Sequence, residues 1–384
     1  MNYDFDTIIP RRDTESIKWN FCDADELPMW VADMDFRSPE PVMAALRARV
    51  EHGVFGYGST PPALRAAIVE RLQRLYAWQV APQDIVMLPG VVPGFNVAAQ
   101  ALLEPGDGLL VQTPVYPPIL HAAKNADFHS QYMSLTRQPD GRYTVDWELF
   151  EETITARTRM FLLCNPHNPV GRVFTEAELR QMAELCLRHE LFICSDEIHG
   201  DLIFSEAQHR PIASLVPEIA ARTITLMAPS KTFNIAGLGC AFAVIPNPEL
   251  RKAFQTGRRG LLGHPNILGL TAALAAYQKG QSWLTALLHY LESNRDYTYD
   301  FVQQQLPGIQ MARPEGTYLA WLDCRESGIP GNPSEFFRAE ARVMLNDGAI
   351  FGPDGAGFVR LNFGTPRALL VEGLERMKAA LARL

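Results

Sequence analysis

The 384-residue chain lacks features that mark whole classes of protein. No apolar run approaches the roughly 20 residues of a membrane-spanning helix. The N-terminal stretch MNYDFDTIIPRRD contains acids and no long apolar segment, so it does not resemble a signal peptide. Charge blocks, low-complexity segments and short-period repeats are also missing. These absences predict a globular protein of the cytoplasm.

The sequence also lacks the motifs of several common chemistries. The six cysteines form no C-x-x-C pair and lie mostly in apolar runs, which predicts reduced thiols in the core. Histidine and cysteine show no metal-ligand spacing, and neither a G-x-S-x-G elbow nor a P-loop is present. The formal net charge of -8 at pH 7 argues against non-specific binding to nucleic acid or anionic membranes.

The chain does contain a clear alternation of strands and helices from about residue 84. The apolar runs are short and nearly continuous, which is typical of parallel strands buried on both faces. Near residue 281 the pattern changes to a long helix, two short strands and a last helix. We therefore predict an α/β protein with a large domain at 49–280, and a small α+β domain formed by 1–48 and 281–384.

The residues that follow the predicted strands are the candidates for a site, because ligands of open α/β sheets bind at the carboxyl ends of the strands. After the first strand, Gly90 leads through Val91 and Val92 into a helix, whose free N–H groups suit an anion such as phosphate. The later strand ends are followed, in chain order, by Tyr116, Asn168, Asp196 with His199, and Ser230 with Lys231.

Lys231 stands at the end of what the pattern predicts to be a buried strand, TITLM. Burial disfavours the charged ammonium and frees the amine lone pair, and such an amine is suited to bonding an aldehyde. A carboxylate at a neighbouring strand end, Asp196, can hold a proton on a pyridine nitrogen. A lysine with an acidic partner for the ring nitrogen is the protein's share of pyridoxal phosphate chemistry, so we predict pyridoxal 5′-phosphate as the cofactor.

Four motifs, NPHNPVG, SDEIHGDL, APSKTFNIAGLG and RLNFG, occur in the order and spacing of the fold-type I pyridoxal phosphate enzymes, and the chain resembles that family over nearly its whole length. The resemblance implies the aspartate-aminotransferase-like fold, with a mostly parallel seven-stranded sheet sandwiched by helices. It also implies that Lys231 holds the cofactor and moves the substrate's Cα proton, while Asp196 pairs with the ring nitrogen. The resemblance further implies that Asn168 contacts the 3-hydroxyl oxygen, that Tyr116 covers the ring face, and that Ser230 binds the phosphate together with the backbone of Val91 and Val92. Arg360 would bind the substrate α-carboxylate, and Tyr57 would reach the phosphate from the other subunit of a homodimer.

Two positions depart from the usual aminotransferase pattern. Gly239 stands eight residues after Lys231, where an arginine usually pairs with the phosphate, and His199 stands where a tyrosine usually lies near the 3-hydroxyl. Together with the N-terminal LPMWVADMDF, these departures resemble the MalY/PatB branch of carbon–sulfur β-lyases. The resemblance implies β-elimination of L-cystathionine or a related cysteine conjugate to a thiol (homocysteine), pyruvate and ammonia.

Two other functions stay open from the sequence: an aminotransferase of the same fold, and a regulatory binding protein that retains the cofactor. His199 fits a hydrogen-bonding role and a buried core position equally well. We expect His167 to be solvated and Glu197 to be structural. Two roles stay open for three further residues, Trp30, Asp33 and Tyr318: lining the substrate entrance and packing in the core. Core packing is the expected role of each.

Overall fold

The computed structural model of the protein describes residues 3–384. The strands are β1 (Leu27–Pro28), β2 (Ile85–Leu88), β3 (Gly108–Thr113), β4 (His129–Ser134), β5 (Thr136–Arg137), β6 (Tyr143–Thr144), β7 (Thr158–Cys164), β8 (Phe192–Asp196), β9 (Thr223–Met227), β10 (Ala241–Val244), β11 (Leu319–Asp323), β12 (Val343–Met344), β13 (Asn346–Asp347) and β14 (Phe358–Asn362). The α-helices are α1 (Ile17–Asn20), α2 (Glu40–His52), α3 (Pro62–Tyr76), α4 (Val91–Leu102), α5 (Pro117–Ala122), α6 (Trp147–Thr153), α7 (Glu176–Arg188), α8 (Pro217–Ala220), α9 (Pro229–Thr232), α10 (Pro248–Gly257), α11 (Ile267–Lys279), α12 (Gln281–Gln305), α13 (Pro333–Phe336) and α14 (Arg367–Leu381).

A seven-stranded sheet forms the centre of the molecule, with strand order β2-β10-β9-β8-β7-β3-β4. Strand β10 runs antiparallel to both of its neighbours, and the other pairings are parallel. The predicted α/β class with a mostly parallel seven-stranded sheet is therefore confirmed.

Both faces of this sheet are covered, as the apolar runs predicted. Successive residues of β7 alternate between two apolar clusters: Met160 and Leu162 belong to one, whereas Phe161 and Leu163 belong to the other. Helices α4 and α10 contribute to the first cluster, and α7 contributes to the second. Since side chains of a strand point alternately to the two faces, each face of the sheet packs against its own layer of helices.

A second, three-stranded antiparallel sheet has the order β11-β14-β13 and packs with α12 and α14. Phe5, Leu27 and Met29 of the N-terminal segment belong to the same apolar cluster as Leu374 and Met377 of α14. The two ends of the chain thus share a core. The domain boundaries at 49 and 280 stay a prediction.

Helix α7 begins with a side-chain cap, and the predicted burial of the cysteines is confirmed. Thr175 and Glu178 form the capping box of α7, each side chain bonding the other's backbone N–H. All six cysteines are buried and free of disulfides. None of the helices within residues 3–384 combines the length and apolar character needed to cross a bilayer.

Candidate active site

A cavity of about 210 Å³ opens at the carboxyl ends of the central strands. Because β2, β3, β7, β8 and β9 all end on this side of the sheet, the side chains that follow them meet around one space. Eight of the predicted site residues line the cavity: Val91, Val92, Tyr116, Asn168, Asp196, His199, Ser230 and Lys231.

The first turn of α4 provides an anion cradle on one wall. Gly90 is the N-cap of this twelve-residue helix and its position carries no side-chain cap. The first N–H groups of a helix have no intrahelical partner, and the helix dipole adds a partial positive charge there. Ser230, one residue before Lys231, lies on the same cavity. These groups fit a phosphate.

Gly239 also lines the cavity, and its backbone explains why no arginine stands there. Its φ angle is +57°, in the left-handed region that glycine adopts without strain. A Cβ at this position would lie 3.4 Å from the Pro89 carbonyl oxygen. A phosphate in this cavity would therefore rely on the α4 N-terminus and Ser230 within this chain.

Asp196 ends β8 with its carboxyl group deep in the cavity wall. The Ile198 amide donates to its Oδ1 at 3.1 Å. Burial, with a smaller contribution from the neighbouring Glu197, raises the pKa of Asp196 to about 7 against the opposing effects of the Ile198 amide and the Lys231 charge. Burial penalises the charged form of this carboxylate, and a neighbouring cation offsets that penalty. The position therefore suits a protonated ring nitrogen.

Arg360, on β14, is a buried cation without an acidic partner. Its guanidinium donates to Asn168 Oδ1 at 2.9 Å, to the Trp30 carbonyl at 2.9 Å and to Asn346 Oδ1 at 2.6 Å. Its Nε has no hydrogen-bond partner, and no ion pair to Arg360 occurs among residues 3–384. Burial lowers its pKa to about 10. Because a buried charge is costly until it is paired, this site favours an anionic ligand.

Lys231 lies in the short helix α9, directly after β9. Its Nζ donates to the Ala32 carbonyl at 2.5 Å. Burial, together with the charge of Arg360, lowers the pKa of Lys231 to about 8 against the opposing effects of Asp33 and Asp196. About one tenth of the molecules therefore carry the neutral amine at pH 7, against far fewer for an ordinary lysine. The neutral amine is the form that can bond a carbonyl carbon or remove a proton.

This shift predicts that the contribution of Lys231 to the stability of the apoprotein rises at alkaline pH. Between pH 8 and 10.5 the unfolded chain keeps the proton on Lys231 while the folded chain has lost it, so this group makes the free energy of unfolding increase with pH. The full effect is on the order of 3 kcal/mol, from about 1.4 kcal/mol per pKa unit. The buried cysteines, whose pKa values are raised by burial, act in the opposite direction in any variant, so urea unfolding at several pH values is compared between the wild type and Lys231→Met. The wild type should gain stability relative to Lys231→Met as the pH rises; parallel pH profiles of the two proteins would contradict the assignment.

Three neighbouring residues, His167, Glu197 and His199, were also assigned surroundings or roles from the sequence. The expected solvent exposure of His167 is wrong: its ring is buried between the carbonyls of Cys164 and Pro114, at 3.1 and 2.8 Å. Glu197 is buried, as a structural role requires, and accepts from Ser195 and His209. His199 lines the cavity with an unpartnered Nδ1, and burial holds its pKa well below the usual value, so the ring is neutral.

Tyr57 lies apart from the cavity. Its side chain is fully exposed on this chain, as are large parts of its apolar neighbours Val54 and Phe55. Within one chain, therefore, the structure does not bring Tyr57 to the residues around Lys231.

The N-terminal segment contributes backbone carbonyls to the site, which the sequence did not predict. Ala32 lines the cavity and its carbonyl accepts from Lys231. Asn362, two residues after Arg360, donates to the carbonyls of Val31 and Asp33 at 2.6 Å each. These contacts run through backbone oxygens, which no side-chain motif marks. The motif LPMWVADMDF, residues 27–36, marked this segment in the sequence, but it indicated the branch of the family and not a contact with Lys231.

The arrangement fits pyridoxal phosphate part by part. The α4 N-terminus and Ser230 suit the phosphate, Asp196 suits the ring nitrogen, the amine of Lys231 suits the aldehyde, and the free donor of Arg360 suits a substrate carboxylate. Metal chemistry finds no such support: residues 3–384 contain no cluster of three or more His, Cys, Asp or Glu side chains suited to a metal ion.

Comparisons with known proteins agree with this geometry. A family model described as aminotransferase class I and II matches residues 28–377. The chain is 40% identical to cystathionine beta-lyase PatB of Bacillus subtilis, over 98% of this chain and all of the relative. It is 34% identical to protein MalY of Escherichia coli, over 97% of each chain. The structure is similar to that of cystalysin from Treponema denticola, which contains pyridoxal 5′-phosphate, with a TM-score of 0.96, 33% identity and full coverage of both chains.

Proposed function

The chain belongs to the class I and II aminotransferase family, within the branch of PatB and MalY, and we propose from this premise that it is a pyridoxal-phosphate-dependent carbon–sulfur β-lyase. We propose L-cystathionine or a related cysteine conjugate as its substrate. One observation carries the proposal: Lys231, Asp196 and Asn168 line a single cavity at the strand ends, and Arg360, which does not itself line the cavity, donates to Asn168. The full-length similarity to PatB supports it.

Each part of the site has a proposed task. Bound pyridoxal phosphate supplies an aldehyde carbon for the substrate amine and a conjugated ring that withdraws electrons from the substrate's Cα. The α4 N-terminus and Ser230 hold the phosphate, and Tyr116 covers the ring. Asn168 and the neutral ring of His199, which both line the cavity, would bond the 3-hydroxyl oxygen. Asp196 keeps the ring nitrogen protonated.

Substrate turnover follows from two side chains. Arg360 holds the α-carboxylate with its charge and planar fork, which fixes the Cα–H bond relative to Lys231. The neutral amine of Lys231 removes the Cα proton as a general base. The electron pair then forms the Cα–Cβ double bond while the Cβ–S bond breaks and sulfur leaves as a thiolate. The thiolate takes the proton from the Lys231 ammonium, which gives the thiol and restores the neutral amine. The remaining three-carbon fragment takes up water to give pyruvate and ammonia.

We also propose that the enzyme is a cytoplasmic homodimer whose subunits share their active sites. The exposed apolar side chains of Val54, Phe55 and Tyr57 favour a covering partner chain. Six free thiols favour a reducing compartment. The α4 cradle lacks an arginine at position 239, so a phenol from the partner would complete the phosphate site.

Hybrid dimers test the shared site. If Tyr57 serves the partner's site, a dimer of one Lys231→Ala chain and one Tyr57→Ala chain has one site with both defects and one with neither. We expect such purified hybrids to show about half of the wild-type activity at limiting cofactor, although both parent homodimers are impaired. Hybrids no more active than their parents would place Tyr57 in its own chain's site or outside any site.

The function itself is tested by product release without an acceptor. The purified holoenzyme is given L-cystathionine and no 2-oxo acid, and pyruvate and thiol are measured; L-alanine, which has no leaving group on Cβ, is the control. We expect many turnovers with equal pyruvate and thiol from L-cystathionine, and none from L-alanine. An absolute need for a 2-oxo acid would instead identify an aminotransferase, and retained cofactor without turnover of any cysteine conjugate would contradict the lyase.

A further inference from the structure

We call residues 30–34 (Trp-Val-Ala-Asp-Met) the strap. It lies against the cavity, and Ala32 forms part of the cavity wall. Every backbone carbonyl of the strap accepts a hydrogen bond from a side chain elsewhere in the chain. The donors are Arg360 to Trp30, Asn362 to Val31 and Asp33, Lys231 and Tyr318 to Ala32, Lys18 to Asp33, and Asn234 and Arg11 to Met34.

The outer side of the strap is held by ion pairs. The fully buried Lys18 pairs with Asp35 at 2.6 Å, and Arg11 pairs with Asp33 and Asp35 at 2.7 Å each. Buried pairs of this kind are costly to break because each would leave an uncompensated charge. The strap is therefore fixed from both sides, which suits a backbone segment whose carbonyls orient functional side chains.

The Ala32 carbonyl is the central contact, because two donors share it. Lys231 Nζ lies 2.5 Å from this oxygen and Tyr318 Oη lies 2.8 Å from it. A carbonyl oxygen has two lone pairs and accepts both bonds at once. Tyr318 is fully buried, and burial raises the pKa of its phenol well above the usual value, so it stays a neutral donor at any working pH.

We propose that Tyr318 is a positioning residue for the lyase reaction: by bonding the Ala32 carbonyl, it fixes the oxygen on which the free amine of Lys231 docks while that amine moves the substrate's Cα proton. The inference rests on the proposed function, in which Lys231 is the general base. The phenol does not touch the reacting atoms; it acts through one backbone oxygen. Proton transfer depends steeply on geometry, so a base held loosely loses rate without losing substrate.

Packing alone is the competing role for Tyr318. Its ring contacts His199 edge-on, with 5.9 Å between ring centroids. Tyr318→Phe keeps the ring and removes only the hydroxyl, so it separates the two roles. Tyr143→Phe is the matched control, because Tyr143 is also a buried tyrosine whose hydroxyl has a single partner, the Trp321 indole N–H, and neither residue lines the cavity.

The test compares both variants with the wild-type holoenzyme on L-cystathionine with and without deuterium at Cα. For Tyr318→Phe we expect kcat to fall about tenfold, KM to stay within about twofold, and the primary isotope effect on kcat to increase, since proton removal becomes slower than the other steps. Tyr143→Phe should match the wild type in all three. An unchanged kcat and isotope effect in Tyr318→Phe would overturn the proposal and leave packing as its role.

A second measurement uses the apoprotein and does not depend on turnover. Hydrogen–deuterium exchange of the peptide that covers residues 30–34 should be faster in Tyr318→Phe than in the wild type and unchanged in Tyr143→Phe. Unchanged exchange in Tyr318→Phe would show that the phenol does not hold the strap, and would also overturn the proposal. If exchange rises but the wild type cleaves no cysteine conjugate, the proposed function fails while the anchoring contact stands.

Discussion

Replacing Lys231 with alanine is expected to lower turnover of L-cystathionine by about 10⁴-fold, the upper range for loss of a positioned acid–base group. In the proposed function the same amine holds the cofactor and removes the Cα proton, and no second lysine lines the cavity in residues 3–384. Pyruvate release by the purified variant, saturated with cofactor, measures the loss. Substrate binding should survive, because Arg360 is unchanged.

The control for this prediction is Lys279→Ala, which removes an exposed lysine at the end of α11 and should leave turnover unchanged. Residual activity of Lys231→Ala above about one tenth of the wild type would contradict the role of Lys231 as the base. Such a result would also remove the basis for the role of Tyr318, although the exchange behaviour of the strap could still be measured.

Replacing Arg360 with leucine is expected to lower kcat/KM by about 10²- to 10³-fold, mostly through KM. The guanidinium is buried with no carboxylate partner, so its charge is available to the substrate α-carboxylate, and losing one member of a buried charge pair costs about 2–5 kcal/mol. Arg360→Lys keeps the charge but loses the planar fork, so its loss should be smaller. Steady-state kinetics of the three proteins measure the series.

Arg325→Leu is the matched control, because Arg325 follows β11, the strand paired with β14, and is bonded to Asp323 outside the cavity. It should leave KM unchanged. A KM for Arg360→Leu close to that of the wild type would contradict the assignment of Arg360 to the substrate. A fall in kcat alone would instead point to loss of the Trp30 contact and a displaced strap.

The sequence predicted the parts of this molecule that local patterns control. The continuous apolar runs of β7, β8 and β9 mark buried strands, and the side chains directly after them, Asp196 and Lys231 among them, must meet because parallel strands end at one edge. Asn168 and Arg360 are 192 positions apart, so local patterns do not predict that they lie side by side. Only the family resemblance, through the order of its motifs, assigned both residues to one site.

What the sequence did not predict depends on long-range pairing or on backbone groups. The antiparallel insertion of β10 between β2 and β9 joins strands from distant parts of the chain. His167 was expected in solvent because it lies in a polar loop, yet its ring is buried and its two nitrogens contact backbone carbonyl oxygens. Core packing was the expected role of Tyr318, and its hydrogen bond to the Ala32 carbonyl has no sequence signature because any residue can provide that oxygen.

The most direct test of the proposed site is to identify the residue that carries the cofactor. Borohydride reduction of the holoenzyme fixes a lysine-bound pyridoxyl group permanently, and peptide mapping by mass spectrometry then locates it. We expect one modified lysine per chain, Lys231, and no fixed label in Lys231→Ala. A label on another lysine, or a wild-type protein that binds the cofactor with no lysine attached, would contradict the central claim that the cavity around Lys231 is the catalytic site.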